Sequence, residues 1–270
     1  MRMIYALFIV CFGVMLAAAY PHTKTNDLTE MGLKGKVKTL TRVVYETSAS
    51  GQEPYAFSTI TYQFNERGFI TSIEEDNEVT IISYDAQDAR LVEATYKKDE
   101  LIRKKTYQKS SLEIMERKGL DRVTFRSSFK YEYDKAGNKT KETHYADGHR
   151  SVTHAFEYDD KGNLVQLLGY TMTMKLSFKN TFKYDSQKRK IQLSIYDSES
   201  DVVIAVEKYA YNTEGFLTMT RAYGERGRLA YTKQYTYQID YDEQGNWLKK
   251  VTFVNDVQND LFATQTLSYY

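Results

Sequence analysis

Cysteine is all but missing from this 270-residue chain: its one copy, Cys11, sits in an apolar N-terminal run. A chain cleaved after that run holds no thiol, which excludes disulfides, thiolate nucleophiles and cysteine metal sites. Proline is nearly as scarce. Pro21 and Pro54 are the only copies, so every later residue keeps the backbone donor that paired strands require. Net charge is also close to nothing, with 37 basic and 36 acidic residues, which removes any global reason to expect a nucleic-acid partner. Catalytic signatures are absent too: there is no Gly-x-Ser-x-Gly, no His-Glu-x-x-His, no phosphate-binding glycine loop and no cysteine motif. No catalytic residue and no cofactor are assigned, and the expectation is a protein that is not an enzyme.

What is present begins with an address. Arg2, the apolar stretch from Ile4 to Leu16 and the small residues Ala17-Ala18-Ala19 have the layout of a signal peptide over residues 1–19. The apolar stretch is short for a membrane span, which takes about 20 residues. Val10 before Cys11 is too large for a lipid-attachment site. The expectation is an exported protein of the periplasm, cell surface or medium, with no transmembrane span after cleavage. Residues 20–270 carry one continuous pattern with no Pro/Gly/Ser-rich break, which predicts a single domain.

That pattern is a repeated unit. Tyr133-Asp134 is followed by Gly137-Asn138, and Tyr158-Asp159 by Gly162-Asn163. Tyr184-Asp185, Tyr211-Asn212 with Gly215, and Tyr241-Asp242 with Gly245-Asn246 continue the series, while Tyr62 to Gly68 and Tyr84-Asp85 are worn copies upstream. The tyrosines are spaced by 25, 26, 27 and 30 residues, room for two strands and two turns each. Aromatic-x-Tyr puts two rings on one face of a strand. Asp or Asn then bonds its own backbone two residues on and starts a turn, and Gly supplies the positive φ that closes a short hairpin loop. Strand, tight turn, strand is the reading.

Composition agrees. The chain has 24 Tyr and 13 Phe against a single Trp, so tyrosine rings are the expected packing material of a sheet poor in aliphatic residues. Asp27-Leu28-Thr29-Glu30 predicts one short N-terminal helix, with Asp27 as its N-cap and Gly32 at its end. Val37 to Glu46, Tyr55 to Phe64 and Trp247 to Val254 alternate as strands, and Lys109 to Lys118 fits either a strand or a short helix. The fold class is therefore all-β, an antiparallel meander of about 16 to 18 strands. Accumulated twist curls such a meander into one long sheet, with barrel-like closure as the variant. One face should carry the tyrosine stripe, the other the Lys, Glu, Thr and Gln.

The Tyr-Asp-x-x-Gly-Asn unit resembles the tyrosine-aspartate (YD) repeat of RHS-type bacterial surface and envelope proteins, best between Tyr131 and Trp247. Leu33 to Lys38 and Gly245-Asn246-Trp247 are similar to small secreted RHS-like proteins. The resemblance implies a continuous curled β-sheet in an exported protein, with carbohydrate binding suggested for such repeats. The chain is far too short for the closed shell of the large members.

Candidate sites are few. His144, His149 and His154 cluster, but a two-residue turn at Asp147-Gly148 would point His154 away from the other two, leaving a poor zinc site. No metal is assigned. Asp197 to Asp201 alternates acids without the glycine and closing glutamate of a calcium loop. Tyr96 to Lys109 carries six basic and two acidic residues, which suits a lysine-protected strand edge as well as a nucleic-acid strip. The tyrosines are expected to be packing residues, and Trp247, beside a turn, is the candidate binding residue. A glycan or an envelope protein bound on the curled sheet is the leading expectation. The alternatives are an outer-membrane barrel, with Ser268, Thr266 and Thr264 in phase with Tyr270 against it, and an enzyme using a carboxylate pair in the concavity.

Overall fold

A computed structural model of the protein describes residues 26–47, 53–117 and 123–270. The expected signal peptide, the lead-in to residue 25 and the polar connection at 48–52 lie outside the described residues. A four-residue helix, α1 (Asp27–Glu30), precedes β1 (Val37–Glu46), β2 (Tyr55–Phe64), β3 (Ile70–Glu75), β4 (Glu78–Tyr84) and β5 (Arg90–Lys97). The middle of the chain forms β6 (Glu100–Gln108), β7 (Ser111–Arg117), β8 (Val123–Tyr133), β9 (Lys139–Ala146), β10 (His149–Tyr158), β11 (Leu164–Tyr170) and β12 (Leu176–Tyr184). It ends with β13 (Lys190–Tyr196), β14 (Val203–Tyr211), β15 (Leu217–Tyr223), β16 (Leu229–Tyr241), β17 (Trp247–Val254) and β18 (Val257–Tyr269). The stretch left open between helix and strand is thus a strand, β7.

Every strand is antiparallel to the next, and β18 returns to β1 with Thr41 opposite Thr266 and Val44 opposite Ala263. The sheet is a closed 18-stranded up-and-down barrel. Closure gives β1 and β18 the partners that an open meander would leave missing at its two edges. A lysine-guarded edge at Tyr96–Lys109 is thereby ruled out, because β6 is paired on both sides, with β5 and with β7.

The repeat sorts the turns by rim. Turns after even-numbered strands share the rim with α1, and the repeat turns are among them. At Asp134 the backbone N–H bonds the Asn138 carbonyl at 2.9 Å, and the Gly137 N–H returns to the Asp134 carbonyl at 3.1 Å. Asp134 Oδ1 accepts from the N–H groups of Ala136 and Asn138, both at 2.9 Å. The same net closes the turns at Asp85, Asp159, Asp185 and Asp242. Gly137 and Gly162 carry φ of 88° and 78°, the left-handed region the loop demands. The far rim is built differently: Asp76-Asn77, Lys98-Asp99, Asp147-Gly148 and Asn255-Asp256 are two-residue turns with positive φ at both centres, which match strand twist.

One face runs in register from Leu40 to Tyr62, Ile73, Thr80 and Thr95 across β1 to β5. Buried Leu40, Phe64, Ile82, Glu93, Leu112, Tyr131 and Phe182 lie on it, whereas exposed Phe57, Val79, Ile81 and Met115 lie on the other. Closing a sheet crowds inward side chains and splays outward ones, so the first is the inner face. The expectation that charge would keep to the opposite face from tyrosine is corrected here. Arg90, Glu93, Lys105, Lys139, Glu142 and Lys190 share the inner face with the rings, because they pair among themselves or stand over aromatic rings.

The densest packing is where α1 meets β1 to β4. Leu28 joins Val37, Leu40, Phe64, Ile70 and Ile82, flanked by Met31, Leu33 and Tyr62. The N-cap is Asn26, not Asp27: Asn26 Oδ1 accepts from Thr29 N–H at 2.9 Å. Asp27 is occupied elsewhere, accepting from the Ile70 N–H at 2.7 Å and the Tyr84 hydroxyl at 3.1 Å, and pairing with Arg90 at 2.7 Å. Gly32, with φ of 68°, ends the helix as expected.

Candidate functional site

Repeat tyrosines do more than pack. Tyr84, Tyr158 and Tyr211 end their strands, and their hydroxyls donate to the carbonyls of Ile70, Lys139 and Lys190 at 2.7, 3.0 and 2.8 Å. Each acceptor is the first residue of the preceding strand, beyond the last paired rung of that ladder. Barrel stagger leaves these carbonyls without a strand partner, and the phenol supplies one. Phenylalanine would fill the space and leave the carbonyl bare. Tyr184 occupies the same position, half-buried, beside Phe182 and Asp185. In the last copy the part shifts by four residues: Tyr237 donates to Leu217 at 2.7 Å, while Tyr241 is 48% exposed. The longer β16 moves the ring at 241 past the ladder end.

Further from the rim the inner face alternates rings and cations. Phe129, Tyr131 and Tyr133 follow one another along β8 with centroids 6.5 and 6.4 Å apart. Lys139 stands over Tyr131 at 5.2 Å and over Phe156 at 4.9 Å, bridging rings of two strands. Lys190 does the same for Phe182 and Tyr209, at 5.8 and 5.1 Å. Between them Gly169 leaves room for the Phe178 ring, whose Cε1 would lie 2.1 Å from an added Cβ. The result is a band of half-buried rings (Phe129, Phe156, Phe178, Tyr209) on the concave side.

The buried and half-buried carboxylates on this face are engaged. Glu93 is held by Arg90, Lys105 and Tyr107 at 2.9, 2.9 and 2.7 Å. Burial pushes its carboxyl up, but Lys105, Tyr107 and Arg90 outweigh that and hold it below the ordinary range. Glu207 accepts from Tyr209 at 2.5 Å and Tyr231 at 3.2 Å. Glu142 pairs with Lys139 at 2.6 Å and lies 3.5 Å from His154 Nδ1.

His154 corrects a phase expectation. A bulge between Arg150 and Thr153 inserts a residue, so His154 falls opposite Glu142 on the same face as His144. His144 stacks on Phe129 at 4.7 Å, and among the described residues no group of three His, Cys, Asp or Glu is placed to hold a metal. Asp197 Oδ1 accepts from the N–H groups of Glu199 and Ser200 at 3.0 and 2.8 Å, an ordinary closed turn. The basic stretch is split between faces, and Lys97, Arg103 and Lys105 are ion-paired to Glu78, Glu116 and Glu93. Trp247 is half-buried on the inner face, with Arg42 and Lys250 over its ring at 5.2 and 5.3 Å. Sequence reasoning missed this pairing, since Arg42 lies on the first strand.

No protein-family model and no curated protein matches the chain. Solved structures similar to it include a porin-like protein from Bacteroides uniformis, at 14% identity and a TM-score of 0.44, covering 87% of this chain and 98% of that one. A porin-like protein from Bacteroides vulgatus matches at 13% identity and a TM-score of 0.30, over 84% of this chain and 97% of its own. TcdB2-TccC3 matches at 12% identity and a TM-score of 0.39, over 72% of this chain but 12% of its own. At these values none of them assigns a function.

Proposed function

We propose that this is an exported β-barrel of the cell envelope that binds a glycan along its inner face and carries out no chemistry of its own. The observation that carries the reading is the band of half-buried Phe129, Phe156, Phe178 and Tyr209, with Lys139 standing over Phe156 and Lys190 over Tyr209. Flat apolar rings beside hydrogen-bonding cations suit sugar rings, which present an apolar face and a polar rim. Glu93, Glu142 and Glu207 are bound to cations or phenols, which supports a binding role over acid-base chemistry. A glycan array probed with the purified protein tests this. Binding that weakens about tenfold in Phe156→Ala supports it, and an array with no bound glycan overturns it.

A barrel set in the outer membrane is the second reading, favoured by closure of the 18 strands and by outward Phe57, Val79 and Ile81. Outward Lys141, Lys179, Lys183, Lys208 and Arg221 weigh against it, at roughly 2–4 kcal/mol for each Lys or Arg at a bilayer midplane. So do β3, β11, β13 and β15, of 6, 7, 7 and 7 residues, where a spanning strand takes about 9–11. Fractionation decides between them: a protein that stays in solution without detergent ends the membrane reading, and one extracted only by detergent establishes it.

A further inference from the structure

The seam where the barrel closes holds two cations with no acid to match them. Arg42 of β1 and Lys250 of β17 both stand over Trp247, and neither forms an ion pair among the described residues. Elsewhere on the inner face Arg90, Lys105 and Lys139 each meet a carboxylate within 2.9 Å, and Lys190 stands alone over its rings. Among the described residues only the Trp247 ring has two cations over it. Gln265 of β18 lies between the two strands, opposite Arg42, and takes one guanidinium N–H on its Oε1 at 3.3 Å. Gln265 is only 3% exposed, yet its Nε2 donors have no protein partner, and neither does the buried Nε–H of Arg42.

Four features therefore converge from three strands: a guanidinium fork, an ammonium, an amide with donors to spare and an indole wall. Burying like charges side by side is unfavourable unless something negative completes the set. Burial lowers the pKa values of both Arg42 and Lys250, and for Lys250 the neighbouring Arg42 adds to the effect. The acid that follows along this row is Glu75, in register with Ile60, which pairs with Arg42 across β1 and β2. Glu75 is exposed and bonds neither cation.

We infer that Arg42, Lys250, Gln265 and Trp247 form a binding site for an oxyanion, a carboxylate or phosphate, borne on a compact body that packs against the indole. Arg42 and Gln265 donate hydrogen bonds to the oxygens, Lys250 neutralises the charge, and Trp247 covers the apolar part. The site rests on the seam geometry and not on the glycan reading: a protein that binds neutral sugars and no anion refutes this inference alone.

Trp247 is the only tryptophan in the chain, so emission excited at the red edge of tryptophan absorption, where the tyrosines do not absorb, reports this site and no other. The purified protein is titrated with inorganic phosphate and, separately, with glucuronate, with glucose and sodium chloride as controls at matched concentration and ionic strength. The expected result is a saturable change in emission with phosphate or glucuronate and none with glucose or chloride. Response to both probes marks a general oxyanion site, and response to glucuronate alone marks an acidic sugar. Lys250→Gln and Arg42→Gln, each checked for native strand content by circular dichroism, should weaken the response by about tenfold or more. No saturable change with either probe overturns the site. So does an equal response to chloride, or an affinity unchanged in a folded Lys250→Gln.

Discussion

Between β1 and β4 the inner face is aliphatic and covered: α1 lies on it, and Val37 and Leu40 are fully buried. Between β8 and β16 the inner face is aromatic and open, with most of its rings half-buried and several braced by lysines. The first region is held by removal of apolar surface from water, which is non-directional and large per residue. The second is held by directed bonds of about 1 kcal/mol each, repeated from hairpin to hairpin. A region held by many small directed terms can leave its face uncovered, which makes it the region able to receive a ligand.

Four substitutions or conditions probe that contrast. Leu40→Ala, which empties a fully buried site, should lower unfolding free energy by about 2–5 kcal/mol in urea titration. A loss no larger than that of a surface substitution would show that the covered region contributes little. Asp27→Ala leaves the Ile70 N–H without its acceptor and Arg90 with Glu93 alone, and should cost on the order of 2–3 kcal/mol. That is less than for a fully buried pair, because Arg90 is about a third exposed. Hydrogen exchange should then report faster opening of β3 and β4 than of β13 and β14. In the aromatic region, Tyr211→Phe removes one hydroxyl from the Lys190 carbonyl and should cost about 1 kcal/mol. No change would reduce the ladder to simple packing.

The last prediction concerns pH. Bonds from Asn138 and Asn163 hold the Asp134 and Asp159 carboxyls below their ordinary range. A depressed folded pKa gives stability that is complete above the unfolded value of about 3.9 and is lost as pH falls through the folded one. Thermal midpoints should be flat near neutrality and fall below about pH 4. Asp134→Asn with Asp159→Asn should flatten that fall, since Asn65 and Asn212 already serve as side-chain acceptors in equivalent turns. An undiminished slope would place the acid sensitivity elsewhere.

How much of this was readable beforehand follows from the range of each interaction. The turn at Asp134 is written within five residues, so its acceptor, its glycine and its asparagine are visible together. The inward phase of Tyr158 and Tyr211 follows from strand period. The part played by Tyr237 was hidden, because it depends on β16 outgrowing its neighbours. His154 was misplaced because a bulge, which leaves no mark in composition, shifts it by one residue. The docking of α1 depends on Asp27 meeting Arg90, and the closing clasp on Asn246, which exchanges two hydrogen bonds with the Lys34 backbone 212 residues away. The oxyanion site at the seam is equally non-local, since its cations come from the first strand and the seventeenth.

Sequence alone determined that this chain is a series of antiparallel hairpins with aspartate-led turns and rings in a fixed phase, because those features depend on neighbours a few residues apart. Tertiary structure decided that the series closes, which face is inner, and which charges meet there. Those outcomes depend on accumulated twist and stagger over all 18 strands, which no short stretch of sequence carries.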